Sequence, residues 1–403
     1  MSRCLLVGLC LIVPSFVAAA DKLELQKGDH ICLVGNTLAE RMQHFGWLET
    51  LLVARFPEHD LTFRNLGYSA DEIDGWENFN HRLRSMDFGS FDQWLAGSAP
   101  VPQEKKLSPR DDGKVRANRF ELTNTRADVI FAFYGYNESF AGEPGLPKFK
   151  ENVAKFIEHV RSQKYNGKSA PRLVLFSPIA QELLDDPNLP GKESVAAANA
   201  RIKLYAEALR EVAKATSVDF VDLFGTTDEL FRTGKVIMPG ARGVTIERGA
   251  PATINGIHLN ASGDWIVGEI IDASLFPNQK IPNLEQRSTQ LRKAVNDKNF
   301  YWYNRYRVTD GYSTYGERAF LKFAEGTGGY GDGLSNYSVG QRELEVLDTL
   351  TANRDQHVWA VAAGKPAPAK DDNLPYFLEV ISNKPGTLPG GKHEFLDGEE
   401  AIS

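Results

Sequence analysis

The chain has 403 residues, 42% hydrophobic and 25% charged, with a formal net charge of −7. That composition fits a globular protein with a sizeable core, and its mild acidity removes any electrostatic case for binding nucleic acid. With three cysteines in all, a disulfide framework or a cysteine-rich metal site is excluded.

Residues 1–20 read as an export signal: Arg3, an apolar run from Cys4 to Val17, then Ala18, Ala19 and Ala20 before the expected cleavage. Removing them leaves one cysteine, Cys32, inside an apolar run where an inert packed side chain is expected. No other stretch approaches the length of a membrane span. The expected location is therefore periplasmic or extracellular, with no membrane association after signal removal.

From residue 28 to about 275, short apolar runs alternate with amphipathic stretches. Strands are expected at Ile31–Val34, Leu61–Arg64, Val129–Tyr134, Leu173–Ser177 and Val218–Leu223. Helices are expected at Leu38–Arg55, Pro147–Gln163, Val195–Ala215 and Ser262–Ser274. In the third helix Ala198, Ile202, Tyr205, Ala206 and Leu209 keep the spacing of a buried face. Strand alternating with helix predicts an α/β fold, a flavodoxin-like three-layer sandwich on a five-stranded parallel sheet in the order 2-1-3-4-5. A site is then expected beyond the carboxyl ends of the strands.

Residues 71–126 interrupt the alternation and read as a cap-like insertion within a domain spanning 21–276. Residues 277–363 follow as a helical, aromatic-rich appendage, with helices at Leu284–Asn299 and Val339–Ala363 and the cluster FYWYNRYR after the first. Residues 364–403 form a Pro/Gly-rich tail expected to be extended.

Four motifs fall at expected strand ends: Gly35-Asn36-Thr37, Asn65-Leu66-Gly67, Gly135-Tyr136-Asn137-Glu138 and Asn255-Gly256-Ile257-His258. Each residue alone has an ordinary reading, Thr37 as a helix N-cap, Gly67 as turn chemistry, His258 as a structural hydrogen-bonding group. The other histidines show no ligand spacing, so no metal site is expected.

Together, in this order, the motifs resemble those of the SGNH (GDSL-type) hydrolases. The stretches GNTLAERMQ, YGYNESFAGEPGLPKFK and INGIHLN look like SGNH-like domains of planctomycete exported proteins. The resemblance implies an esterase with Thr37 in the nucleophile's place and His258 as base. Asn255 stands where the family has the orienting aspartate. The Thr37 N–H, Gly67 and Asn137 would be the oxyanion donors. Tyr68, Tyr136, Asn36 and Glu138 flank these and are candidate substrate contacts. The implied substrate is a small ester or an acetylated carbohydrate, with no metal or organic cofactor, and the appendage or tail would meet any protein partner.

Two positions depart from the family pattern. Threonine for serine adds a methyl that restricts χ1. Asparagine for aspartate leaves an amide oxygen to accept from the histidine N–H, without the charge that stabilises an imidazolium. The same departures support a second reading, a weakened or inactive domain that binds a glycan or partner.

Overall fold

The run Ile31–Val34 offers no polar side chain to water, so it belongs in a sheet covered on both faces. The computed structural model describes residues 23–76, 91–97, 125–240, 243–307, 322–323, 334–366 and 371–375. In it this run is β1 (His30–Gly35), which leads into α1 (Thr37–Phe45), α2 (Trp47–Arg55) and β2 (Thr62–Asn65). The single helix expected over Leu38–Arg55 is thus two, broken at Gly46, whose φ of 70° is left-handed and ends α1.

Within the insertion, one turn of 3₁₀ helix spans Ile73–Trp76 and α3 spans Phe91–Ala96. The anchors of α3 lie at the amino end of the sheet: Ala127 N–H donates to Leu95 at 2.9 Å, just before β3 (Val129–Phe133). Phe91, Trp94 and Leu95 are buried, Phe91 edge-on to Phe156. Helix α3 thus turns an apolar face into the core, and none of the described residues of the insertion lines the pocket described below. Residues 77–90 and 98–124 lie outside the described residues, as do the expected signal at 1–20 and the tail beyond 375.

The chain continues through α4 (Gly142–Ser162), β4 (Arg172–Phe176), α5 (Lys192–Thr216), β5 (Asp219–Val221) and α6 (Leu223–Thr233). A short antiparallel hairpin, β6 (Lys235–Ile237) and β7 (Thr245–Glu247), precedes α7 (Ala261–Leu275). Helix α6 and this hairpin escaped the sequence reading, because their eleven- and three-residue runs carry too short a period. Helix α4 begins five residues before the expected Pro147, since its two prolines fall in the opening turns where missing N–H groups cost least.

The five parallel strands run in the order β2-β1-β3-β4-β5, as the alternation predicts. Alternate side chains feed two cores. Ile31 and Leu33 join Leu48, Leu51 and Ile270 on one face. Cys32 and Val34 join Phe156, Val153 and Leu209 on the other. Burial pushes the Cys32 thiol up to about 12, which leaves it an unreactive packing group.

After α7 come α8 (Leu284–Tyr306), a two-residue hairpin of β8 (Lys322–Phe323) with β9 (Leu334–Ser335), and α9 (Asn336–Ala362). The aromatic cluster placed after the first of these helices in fact forms its last two turns. Trp302, Tyr306, Leu344 and Leu347 enter one core, and Leu291, Val295 and Val358 the other.

These two helices also cover the outer edge of β2. Trp359 Nε1 donates to Leu61 O at 2.8 Å, Trp302 Nε1 to Asn65 O at 2.8 Å, and Tyr306 Oη to Leu66 O at 2.6 Å. Arg64, on β2 itself, forms a buried pair with Asp355 of α9. An edge strand exposes unpaired carbonyls; here side-chain donors stand in for a sixth strand.

Candidate active site

Strand β1 ends in a turn whose geometry is set by Asn36. Its side-chain oxygen accepts the Leu38 N–H at 3.1 Å, so Asn36 caps α1. Thr37 is therefore released from the N-cap role that its position suggested. Its hydroxyl accepts only a long hydrogen bond from Ala70 N at 3.4 Å. As the first helical residue, its own N–H has no intrahelical partner. A free donor at a helix N-terminus is suited to a developing negative charge.

His258 lies on the loop before α7, and that loop is braced from below. Buried Glu182 accepts from Ala252 N, Thr253 N and Thr253 Oγ1 at 3.0, 2.9 and 2.7 Å and pairs with Arg248. Its own N–H donates to Gly256 O at 2.8 Å. Asn260 then caps α7 by accepting from Gly263 N. This brace was not foreseen, because nothing in a lone buried glutamate announces its partners some 70 residues away.

Thr37, Asn36, Tyr136 and His258 line one small pocket of about 40 Å³, with walls that include Phe133, Tyr134, Pro178 and Ile179. It lies beyond the carboxyl ends of β1, β3 and β4, where the topology places a site. The structure thus brings the proposed nucleophile and base together with two of the four candidate substrate contacts.

The remaining site residues are placed differently. Gly67 has its N–H taken by Asn65 Oδ1 at 2.9 Å. A Cβ on Gly67 would sit 2.4 Å from Glu40 N, so close packing against α1 by itself requires glycine here. Asn137 Nδ2 makes a weak 3.4 Å contact with Asp71 O and is not part of the pocket wall. Glu138 is no substrate contact: its carboxylate accepts from Ile73 N at 2.8 Å and Gly135 N at 2.9 Å, lashing the second motif's loop to the third. Burial pushes that carboxyl up to about 7, against the pull of these N–H groups. Tyr68 lies outside the pocket, under the Arg307 guanidinium at 4.0 Å.

Asn255 also departs from its expected role. Its side-chain oxygen does not accept from the imidazole; it accepts from the backbone N–H groups of His258 at 3.0 Å and Ile257 at 3.4 Å. Those donors can meet only an oxygen, so the amide nitrogen is the atom facing His258 Nδ1, at 3.0 Å. Nδ1 is then an acceptor, and the resting imidazole carries its proton on Nε2. An aspartate in the same Asx-turn would leave its second oxygen facing Nδ1 and select the opposite tautomer.

The imidazole is kept neutral. Burial, and then the positive charge of Arg41, hold the His258 pKa below its ordinary value, and Glu40 partly opposes them. Arg41 lies one turn beyond Thr37 on α1, and its buried Nε has no hydrogen-bond partner among the described residues. Among the described residues, no group of three or more His, Cys, Asp or Glu side chains is placed to hold a metal, and no helix is long and apolar enough to cross a membrane.

No curated protein matches the chain. Similar solved structures include an acetyl-xylooligosaccharide esterase mutant from Geobacillus stearothermophilus, 11% identical, covering 63% of this chain and 97% of its own, with a TM-score of 0.40. The M. smegmatis aryl esterase is 13% identical over 60% of this chain and 96% of its own, TM-score 0.36. Est24, a carbohydrate acetylesterase from Sinorhizobium meliloti, is 14% identical over 60% and 96%, TM-score 0.35. At such scores these likenesses carry no argument about substrate or mechanism. The model of the GDSL-like lipase/acylhydrolase family matches residues 43–266, a span that includes Gly67, Asn137, Asn255 and His258 and begins after Thr37. The chain belongs to the GDSL-like lipase/acylhydrolase family, and its α/β sheet is that of an ester-hydrolysing enzyme of the SGNH type.

Proposed function

We propose that the protein is an exported esterase that removes short acyl groups, acetyl foremost, from carbohydrate esters, with Thr37 as nucleophile and His258 as base. The observation that carries the reading is the shared pocket. Thr37 and His258 both line a space sized for a few heavy atoms. Phe133, Tyr134, Pro178 and Ile179 give that space an apolar wall, and its small volume favours a short acyl group. The preference for sugars rests on the aromatic flank of Tyr136 and exposed Phe140, and export rests on the leader alone.

In the reaction, His258 takes the Thr37 proton as the hydroxyl oxygen bonds to the acyl carbon. The carbonyl oxygen gains a negative charge and meets the Thr37 N–H. His258 then returns the proton to the leaving alcohol, and water releases the acyl group from Thr37 by the same route. The base must act through Nε2, which carries the proton in the resting tautomer, so only the minor tautomer is productive. Turnover is accordingly slow. Neutrality of His258 at pH 7 is the favourable half of the arrangement, since a low pKa keeps the base unprotonated.

The test is hydrolysis of p-nitrophenyl acetate, butyrate and octanoate by the mature protein, beside Thr37→Ala and His258→Ala. The expected result is a steep preference for acetate and loss of about 10³-fold or more in kcat in both variants. Full activity in Thr37→Ala would remove the threonine from the mechanism. Export is tested separately, by fractionating cells that express the full chain.

A further inference from the structure

A second cavity, of about 330 Å³, opens beside the first and falls within the range of small-molecule sites. Tyr136 and Ile257 line both, and Asn255, the partner of His258, lines the larger one. Whatever occupies it lies next to the base that would hand a proton to the leaving alcohol.

The chemistry of this wall is unspent. Arg201, half-buried on α5, is the one charged residue among the described residues that line the cavity. Its neighbours one turn away on the helix are Ala197, Ala198, Leu204 and Tyr205, so the sequence gives it no acid to pair with. Its guanidinium lies 5.7 Å from the Phe140 ring, and no carboxylate among the described residues bonds it. Nearby arginines differ: Arg210 pairs with Asp222 and Arg248 with Glu182. The Gln181 side chain and the Tyr136 hydroxyl likewise make no hydrogen bond among the described residues, and the Arg201 charge acts on that hydroxyl. The wall is nevertheless fixed, since Asn199 clamps both backbone groups of Gln181 at 2.7 and 2.9 Å. Phe140 is 65% exposed, with Tyr136 edge-on at 5.7 Å, an apolar platform of the kind a sugar ring covers.

We infer that this cavity is the alcohol-side subsite and that it takes a carboxylated sugar, with Arg201 holding the carboxylate and Phe140 and Tyr136 flanking the ring. A single guanidinium with no second cation matches a monoanion; a phosphate dianion would be left half-neutralised. In a chain of net charge −7, an unpaired cation on a cavity wall is also a local exception that draws an acidic ligand to this one place. The inference rests on the esterase reading for its reaction and on Arg201 for its specificity, and the two are separable.

The experiment compares wild type with Arg201→Gln and Arg201→Lys on acetylated oligogalacturonate and on acetylated xylo-oligosaccharide, which lacks the carboxylate. The readout is the ratio of the two kcat/KM values within each protein. That ratio is expected to fall at least tenfold in Arg201→Gln and to recover in part in Arg201→Lys. An unchanged ratio overturns the subsite. A parallel titration calorimetry measurement uses deacetylated trigalacturonate. If wild type cleaves no ester at all, the esterase reading fails, and the calorimetry decides the subsite alone. Binding lost in Arg201→Gln supports it; binding equal in both proteins, or absent from wild type, overturns it.

Discussion

Asn255 and His258 show how much chemistry one amide can redirect. The Asx-turn fixes the Asn255 oxygen on backbone N–H groups, which turns its nitrogen toward the imidazole and parks the proton on Nε2. Restoring a carboxylate should reverse that. In a serine protease the loss of the equivalent carboxylate costs about 10⁴ in kcat through the wrong tautomer. Asn255→Asp should therefore raise kcat on p-nitrophenyl acetate by about 10²- to 10³-fold, measured at saturating substrate. It should also move the acidic limb of the pH profile upward, because a nearby negative charge raises the His258 pKa. An unaltered kcat would mean that tautomer does not limit this enzyme.

Asp264 supplies a second residue-scale effect, on stability. It is buried at the start of α7 and accepts the Trp47 N–H at 3.2 Å. Burial pushes its carboxyl from 3.8 up to about 7, with the N–H, Arg292 and Arg41 pulling the other way. A raised carboxyl binds its proton more tightly in the folded state, so stability is highest below about pH 4 for this group and falls as pH rises toward 7. The full penalty above that is at most about 4 kcal/mol. Asp264→Asn should raise Tm at pH 8 and leave it nearly unchanged at pH 4, in thermal unfolding followed by circular dichroism.

At the scale of elements, the site depends on how closely the loop after β2 approaches α1. The backbone of Gly67 lies where any Cβ would be 2.4 to 2.9 Å from the Glu40 and Ala39 backbone. Gly67→Ala should cost about 1–3 kcal/mol of stability, read by denaturant unfolding. It should also lower kcat, because the helix that would have to yield begins with Thr37. A structural glycine far from chemistry would show the first effect without the second. The aromatic caps of β2 act on the same loop from the other side. Trp302→Phe keeps most of the buried ring and deletes the donor to Asn65 O, so about 1–3 kcal/mol should be lost to a buried carbonyl without a partner.

The sheet and its order were legible because five apolar runs alternated with amphipathic helices, a pattern that survives without any contact information. Asn36, Thr37 and His258 were legible because they are local to strand ends. Gly46 was not read as a helix break, although a left-handed glycine there divides α1 from α2. The orientation of the Asn255 amide was also out of reach, since it depends on which N–H groups its own turn presents. Arg201 was invisible for a different reason. A cation reads as a solvated helix face until the structure shows that a cavity, and no acid among the described residues, lies against it.

For the molecule as a whole, the two late helices are part of the same cores as the sheet, and they seal its outer strand through Trp302, Tyr306 and Trp359. The Trp359 donor lies 298 residues downstream of the Leu61 carbonyl it satisfies. At a synthesis rate of about 5–20 residues per second, that gap is about 15–60 s. Throughout that interval the Leu61 end of the nascent sheet's outer strand is uncapped and able to recruit a neighbouring chain. The strand itself limits the hazard: it is four residues long and places Arg64 at its centre, too short and too charged to template a partner well. The same arginine that later pairs with Asp355 thus guards the half-made protein before Asp355 exists.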